Sequence, residues 1–170
     1  LYYMPQTWTS DNTDALARLN IQYGTSLAYP ILTMGSHVSA VPNHQTHRVT
    51  SLAIRGNVAM SGVLGYELDL TKLTAEEKIS IQEQIVFYKQ HRALFQFGRF
   101  IRLTSPFEKN SCAWMFVSKD QKEAIAFYFR KYAQASFPLE TLRLAGLDEE
   151  QIYELNGCEI SGSEAMHLGL

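Results

Sequence analysis

Long apolar runs and an excess of charge of either sign are both missing from this sequence. No apolar stretch approaches the ~20 residues needed to cross a bilayer, and the N-terminus lacks the basic and then apolar order of a signal peptide. The 15 basic and 17 acidic residues give a formal net charge of -2, so there is no broad attraction to nucleic acid or to an anionic membrane. We therefore expect a cytoplasmic protein that binds neither membranes nor nucleic acid. A small neutral ligand fits this charge balance better.

Cysteine is scarce too, with only two in the chain. Cys112 and Cys158 each lie in or beside a strand-like segment and are far apart in sequence. In a reducing compartment two such residues are more often free thiols than a disulfide, which would require an oxidising one. We therefore expect two free thiols.

The residue patterns of metal and phosphate sites are also absent. His37, His44 and His47 lie close together but match neither His-Glu-x-x-His nor a Cys/His zinc pattern, so loop hydrogen bonding is the favoured interpretation. Gly62 and Gly65 follow a predicted helix, whereas a phosphate cradle would place glycines before one. We predict no metal and no cofactor.

Two further motifs are incomplete. The stretch from Asp11 to Asp14 lacks the glycine and the closing glutamate of a calcium-binding loop. Ser161 has Gly162 beside it, but no second glycine in register and no predicted strand-to-helix turn. We therefore do not expect Ser161 to be a nucleophile.

The sequence has enough apolar residues for a packed core, and they lie in alternating strand-like and helix-like segments. Apolar residues make up 46% of the chain and aromatic residues 12%. The clearest helix opens with the capping box from Thr74 to Glu77, and we expect it to run to about Phe95. Before it, residues 1–8 and 63–70 are predicted as strands and residues 15–23 and 52–61 as helices. The segment 27–38, broken by Pro30 and Gly35, is predicted to contain a further strand. This alternation is typical of parallel βα units.

From Gly98 onwards the pattern changes to short β-rich runs separated by turn-like residues. The predicted strands are Arg99–Leu103, Cys112–Ser118, Glu123–Tyr132, Glu140–Leu144, Gln151–Asn156 and Ala165–Leu168. Their spacing indicates antiparallel hairpins. We therefore predict an α/β plus all-β fold, with the last βα units of a barrel in residues 1–96 and an antiparallel β-sandwich domain in residues 97–170.

The candidate for chemistry is the turn Trp8-Thr9-Ser10-Asp11-Asn12-Thr13-Asp14, between the first predicted strand and the first helix. A carboxylate at this point lies where barrels and open α/β folds keep their active sites. Asp11 and Asp14 could be an acid and a base, but such neighbours more often divide into one functional group and one helix cap. We take Asp11 as the functional group, while Asn12, Thr13 or Asp14 can cap the helix.

Four ordered blocks of the sequence resemble one known enzyme family. The blocks are Pro5–Ala15, Arg18–Ser26, Met34–Ser39 and Val41–Thr46. In this order they resemble the glycoside hydrolase family 36 α-galactosidases, and the C-terminal hairpins are similar to the terminal β domain of that family, though less distinctively. The resemblance covers essentially the whole chain. It implies the C-terminal strands and helices of a (β/α)8 TIM barrel followed by an antiparallel β domain.

The resemblance also implies an activity, a retaining α-galactosidase that releases terminal galactose from melibiose, raffinose and related α-galactosides. The aspartate after Trp-Thr-Ser is the general acid/base of that family, which corresponds to Asp11. The family's nucleophile is an aspartate in a Lys-Trp-Asp block, and no such block occurs here. We therefore expect an excerpt of a longer enzyme that is inactive alone. Family members are often tetramers, so the resemblance implies a homo-oligomer.

Other roles and functions stay open at this point. Trp8 is a candidate wall of the substrate site and Asp14 a candidate support of the turn, although packing and helix capping suit them equally well. The chain could instead be a non-catalytic sugar-binding or assembly module with Trp114 or Phe127 stacking on sugar, although strand alternation favours core positions for both. The same scaffold could also transfer galactose to a sugar hydroxyl in place of water.

Overall fold

The chain divides into two compact units, Leu1–Gln96 and Phe97–Leu170. The computed structural model describes residues 3–136 and 139–170. Within these ranges, none of the helices has the length and apolar content that crossing a bilayer requires.

Three α-helices lie in the described part of the first unit, and the last extends one residue beyond it. Each helix is preceded by a capping residue that the sequence predicts. Their bounds are Ala15–Thr25 (α1), Leu52–Met60 (α2) and Ala75–Phe97 (α3). The side chains of Asp14 and Ser51 accept backbone hydrogen bonds in the first turns of α1 and α2 at 3.0 and 3.3 Å. Before α3, the Glu77 amide donates to the Thr74 hydroxyl at 3.1 Å and the Thr74 amide donates to the Glu77 carboxylate at 2.9 Å. The predicted capping box is therefore confirmed, because both orphan amides have partners.

Two parallel strands and one isolated bridge form the sheet of this unit. Strand β1, Gly35–Ser39, pairs in parallel with β2, Val63–Glu67. On the other edge of β1, Thr7 bridges Met34 in parallel. Three consecutive chain segments thus run in the same direction, separated by α1 and α2, which is the βα order that the sequence predicts.

Two of the three strand predictions of this unit, 1–8 and 63–70, are too long. The segment 1–8 forms a single bridge at Thr7, and its first two residues lie outside the described ranges. The segment 27–38 contains a strand, as predicted, and this strand begins at Gly35. It is preceded by turns and a 3-10 helix, Ile31–Thr33, because Pro30 cannot donate a ladder hydrogen bond and its carbonyl accepts from the Thr33 hydroxyl. The third strand ends at Glu67, and a second 3-10 helix covers Leu70–Lys72.

Buried polar side chains link the helices to the sheet. Gln22 of α1 is fully buried and donates to the Ser61 hydroxyl at 2.9 Å, while it accepts from the Ser36 hydroxyl of β1 at 2.6 Å. Arg55 of α2 donates to the Ser39 carbonyl at the end of β1 at 2.6 Å. Buried polar groups cost free energy unless they are paired, so these bonds fix how α1 and α2 sit on the sheet.

The second unit contains an antiparallel sheet, a hairpin and a short helix. The elements are Arg99–Thr104 (β3), Ser111–Val117 (β4), Ala124–Arg130 (β5), Ile152–Leu155 (β6), Cys158–Ser161 (β7) and Gly162–His167 (α4). Strands β3, β4 and β5 pair in that order, and β6 pairs with β7. The β6–β7 turn is the predicted Asn156-Gly157, whose φ angles of 52° and 82° suit a two-residue hairpin.

The faces of β4 contribute to two different sets of contacts. Met115 and Val117 pack with the hairpin and with α4 in one apolar cluster that includes Leu147 and Ala165. Trp114 and Phe116 point to the opposite face, where they contact aromatic rings of β3 and β5. Every residue of β4 is buried, so this strand is the centre of the unit.

Two strand predictions in the second unit are wrong. Residues 140–144 form no strand. The Leu142 backbone exchanges hydrogen bonds with Leu170, and the Leu144 amide donates to the carbonyl of Ala165, which belongs to α4 and not to a strand. Residues 165–168 are likewise not a strand, since α4 begins at Gly162 after a complete capping box between Ser161 and Glu164. A strand-to-helix turn therefore does exist at Ser161, contrary to the prediction, but the hydroxyl of Ser161 is occupied in capping α4.

Both cysteines are free thiols, as predicted. Cys158 is exposed, whereas Cys112 is buried in β4. Burial raises the pKa of the Cys112 thiol to about 12. Cys112 is therefore a small apolar core residue and not a nucleophile.

Candidate active site

Asp11 lies on an exposed turn immediately after the parallel bridge at Thr7 and before α1. One of its carboxylate oxygens, Oδ1, accepts a hydrogen bond from the indole Nε1 of Trp8 at 2.8 Å. Among the described residues, no other side chain donates to Asp11. The carboxyl therefore keeps one oxygen free at the carboxyl end of a parallel strand segment, the edge at which barrels bind their substrates.

The backbone around Asp11 is fixed on both sides. The Asn12 amide donates to the Ser10 hydroxyl at 3.1 Å, and the Asp14 amide donates to the Asn12 side chain at 3.0 Å. These local bonds satisfy the turn without using the Asp11 carboxyl. The direction of that side chain is therefore set by the turn and by Trp8.

Arg18 of α1 connects this turn to the sheet. Its guanidinium donates to the carbonyl of Ser10 at 3.4 Å and to the carbonyl of Gly35, the first residue of β1, at 2.7 Å. The side chain is buried, and burial lowers the pKa of Arg18 to about 10. Because one rigid group holds both carbonyls, the residue before Asp11 is tied to the strand beside it.

Asp14 has a different environment, although it is three positions from Asp11. It is the N-cap of α1, is 2% exposed, and accepts from the Ala17 amide and from the guanidinium of Arg48. Arg48 comes from the loop after β1, which the buried Asn43 holds through bonds to the Gln45 and Thr46 amides, both at 3.0 Å. Asp14 therefore caps α1 and forms an ion pair with Arg48, and its supporting role in the site stays a prediction.

Trp8 is half exposed and lies over the parallel strands. Its ring would be 3.1 Å from a Cβ atom placed on Gly35, and its centroid is 4.6 Å from that of His37 in an edge-to-face contact. His37 lies over Gly65 of β2, where an added Cβ would come within 2.6 Å of the imidazole. The Nδ1 atom of His37 is 3.5 Å from a carboxylate oxygen of Glu67. Two glycines thus leave space for two rings in edge-to-face contact near Asp11.

The structure separates the three histidines that the sequence places close together. His37 lies on β1 near Trp8, whereas His44 and His47 are exposed in the following loop. Within residues 3–136 and 139–170, no group of three or more His, Cys, Asp or Glu side chains could hold a metal ion. Trp114 and Phe127 are 1% and 8% exposed, so neither is available to stack on a sugar.

The sequence identifies Asp11, Trp8 and Asp14, and the structure brings the first two together by a hydrogen bond. The sequence does not identify Arg18, Arg48, Gly65 or His37 as parts of the site. In the sequence, Arg18 is only one polar position of a predicted helix. Arg48 and Asp14, which form an ion pair, are 34 positions apart. An ion pair between distant loops leaves no signal in local residue spacing.

Two family models match separate parts of the chain. Residues 1–98 match the melibiase family, and residues 111–170 match the glycosyl hydrolase family 36 C-terminal domain. The α-galactosidase AgaA of Geobacillus stearothermophilus is 63% identical over 100% of this chain, which corresponds to 24% of AgaA. The chain thus spans about a quarter of the length of the relatives it matches.

Solved structures show the same fold at high similarity. The family 36 α-galactosidase AgaB of G. stearothermophilus superposes with a TM-score of 0.97 at 63% identity, covering 100% of this chain and 24% of AgaB. A double variant of AgaA from the same organism, in complex with raffinose, gives a TM-score of 0.97 at 61% identity over the same shares. The fold is accordingly the end of the family's barrel followed by its antiparallel β domain. From the family match over residues 1–98 and these structures, the chain belongs to the melibiase family of glycoside hydrolase family 36 α-galactosidases.

Proposed function

We propose that the chain supplies the general acid/base carboxyl, Asp11, to a longer retaining α-galactosidase that acts on raffinose-type α-galactosides. The observation that carries the proposal is the contrast between the two carboxylates of one turn. Asp14 is buried: its Oδ2 caps α1 and pairs with Arg48, and its Oδ1 has no hydrogen-bond partner. Asp11 is instead exposed, and its Oδ2 is not contacted by Trp8. A general acid must reach the proton acceptor directly, and only Asp11 meets this requirement.

The chemistry that follows uses Asp11 twice. In the first step its protonated carboxyl gives a proton to the glycosidic oxygen as the bond from that oxygen to C1 of galactose breaks. A carboxylate from another part of the enzyme attacks C1 at the same time and forms a galactosyl ester. In the second step the Asp11 carboxylate takes a proton from water, and the water oxygen attacks C1, displaces the ester and regenerates both groups.

The substrate class is supported by two observations. The chain has no strong charge of either sign, which suits a neutral ligand, and a relative with 61% identity has been solved with raffinose bound. The sequence contains no Lys-Trp-Asp block, so the nucleophile of the proposed mechanism lies elsewhere in the enzyme. We therefore expect the 170-residue chain alone to release no galactose.

The first test changes the leaving group. In the full-length enzyme, Asp11→Asn removes the transferable proton, and we expect kcat/KM on raffinose to fall by about 10²- to 10⁴-fold. A dinitrophenyl α-galactoside, whose leaving group needs little protonation, should galactosylate the variant almost as fast as it galactosylates the unchanged enzyme, as measured by the burst of dinitrophenol. The control is Asp120→Asn, an exposed carboxyl in a turn of the second unit. Equal loss on both substrates would exclude Asp11 as the acid.

Two related proposals concern the whole enzyme. The family resemblance suggests a cytoplasmic homotetramer, and light scattering after size-exclusion chromatography measures the assembly. A monomer would contradict that part of the proposal without affecting the role of Asp11.

A further inference from the structure

The bond between Trp8 and Asp11 has a consequence for where the acid proton resides. The indole N–H can only donate, so Oδ1 of Asp11, at 2.8 Å, must act as an acceptor in both protonation states of the carboxyl. The carbonyl oxygen of a protonated carboxyl is a better hydrogen-bond acceptor than its hydroxyl oxygen, so the indole favours the form in which Oδ1 is the carbonyl oxygen. When Asp11 is protonated, the hydrogen therefore lies on Oδ2, the oxygen that Trp8 does not contact.

Trp8 can direct the carboxyl only if its own ring is held, since its side chain is 49% exposed. The ring is in contact on two sides. It lies against Gly35, where a Cβ atom would be 3.1 Å away, and against the edge of His37, with ring centroids 4.6 Å apart. Edge-to-face contacts of this kind favour one orientation of each ring.

His37 is held in turn by β2. Gly65 leaves room for the imidazole, and Nδ1 of His37 lies 3.5 Å from a carboxylate oxygen of Glu67. The strand pairing places His37 directly opposite Gly65 in the parallel register. Contacts therefore continue from β2 through His37 and Trp8 to Asp11, and each member restricts the next.

We propose that Trp8 is a positioning residue for proton transfer: it holds Oδ1 of Asp11 so that Oδ2 carries and delivers the proton. This inference rests on the proposed acid/base role of Asp11. It assigns to Trp8 a different task from a wall that binds sugar. In the galactosylation step the Oδ2–H bond breaks, the proton goes to the leaving sugar oxygen, and that oxygen keeps the electron pair of the broken C1–O bond. Water returns a proton to Oδ2 in the second step.

The test uses the full-length enzyme with Trp8→Phe, which removes the N–H donor and keeps an aromatic ring. We expect kcat/KM on raffinose to fall by about 10- to 100-fold, the range for loss of a hydrogen bond to a charged group. The first-step rate on a dinitrophenyl α-galactoside should change by less than about 3-fold, because that leaving group needs little protonation. Equal losses on both substrates would overturn the proposal and indicate a role in packing or sugar binding.

Two further variants separate loss of the hydrogen bond from loss of shape. Replacing the N–H of the Trp8 ring by sulfur, through a benzothienyl amino acid, keeps the ring size and should reproduce the leaving-group effect of Trp8→Phe. Full activity of this variant on raffinose would overturn the proposal. Tyr29→Leu is the matched control, because Tyr29 is an aromatic residue of the same unit with the same exposure of 49%.

A double-mutant cycle identifies the partner through which Trp8 acts. If Trp8 works through Asp11, adding Trp8→Phe to Asp11→Asn should cause less than about a 3-fold further loss on raffinose. If Trp8→Phe reduces activity as much in the Asp11→Asn background as it does in the otherwise unchanged enzyme, the proposal is overturned, while the role of Asp11 stays intact. If Asp11→Asn alone shows no dependence on the leaving group, the proposed function fails, and the role of Trp8 fails with it.

Discussion

Asp11 and Asp14 are the same residue type three positions apart, yet their surroundings give them different roles. Oδ2 of the buried Asp14 accepts from the Ala17 amide of α1 and pairs with the guanidinium of Arg48, while its Oδ1 has no hydrogen-bond partner. Asp11 points outwards, with a single donor on one oxygen. The distinction depends on one residue from a distant loop, Arg48, and on the buried Asn43 that shapes this loop.

Arg18 provides a prediction about the support of the site. Arg18→Met in the full-length enzyme removes donors to the half-buried Ser10 carbonyl, the buried Gly35 carbonyl and the buried Gln22 side chain. We expect a loss of about 2–4 kcal/mol in the stability of this part, seen as a lower midpoint in urea, with reduced activity on raffinose. Arg92→Met, an exposed position on α3, is the control and should change stability by less than about 0.5 kcal/mol. Equal midpoints for the two variants would show that Arg18 is not a structural anchor.

The sequence predicts some of these side chains and not others for a physical reason. Asp11 and Trp8 lie within one short turn, where residue type and spacing carry the information. Arg18, His37 and Arg48 reach the site through tertiary contacts, and local pattern does not encode the partners of such residues. Gly65 is informative only once its neighbour is known, because its role is to leave room for His37.

Helices with side-chain caps are the best predicted elements of the chain, and the errors concern strands. The capping boxes before α3 and α4 have the same spacing, Thr74 to Glu77 and Ser161 to Glu164. The first is recognised in the sequence and the second is not, although it carries the same signal, so residues 165–168 are wrongly expected to be a strand. Within 27–38 the sequence predicts a strand but not where it begins, because apolar content alone does not distinguish a 3-10 turn from a strand.

The cap of α4 gives a prediction that separates structure from chemistry. Ser161→Ala removes an acceptor for the Glu164 amide at 3.1 Å and should lower the stability of the second unit by about 1 kcal/mol. We expect unchanged activity in the full-length enzyme, because Ser161 is a cap and not a nucleophile. Ser163→Ala, two positions further along the same helix, is the control and should be nearly neutral. Loss of activity without loss of stability would contradict this assignment.

The two units differ in how much of their fold the sequence pattern predicts. Among the described residues of the unit 1–96, the sheet consists of two paired strands and one bridge. The chain spans about a quarter of the length of its relatives. The fold of this unit is therefore understood only as the end of a larger barrel, which local pattern suggests and the family resemblance specifies. The unit 97–170 builds its own core around β4, and its β-rich pattern is visible from residue spacing alone.

Azide rescue of Asp11→Asn in the full-length enzyme tests the central claim most directly. Azide needs no general base, so it can replace water at the galactosyl ester formed from a dinitrophenyl α-galactoside. We predict that added azide accelerates turnover and that the product is α-galactosyl azide, because two displacements at C1 retain the configuration. Asp11 would not be the acid/base if azide gave no acceleration, and formation of β-galactosyl azide would identify it as the nucleophile instead.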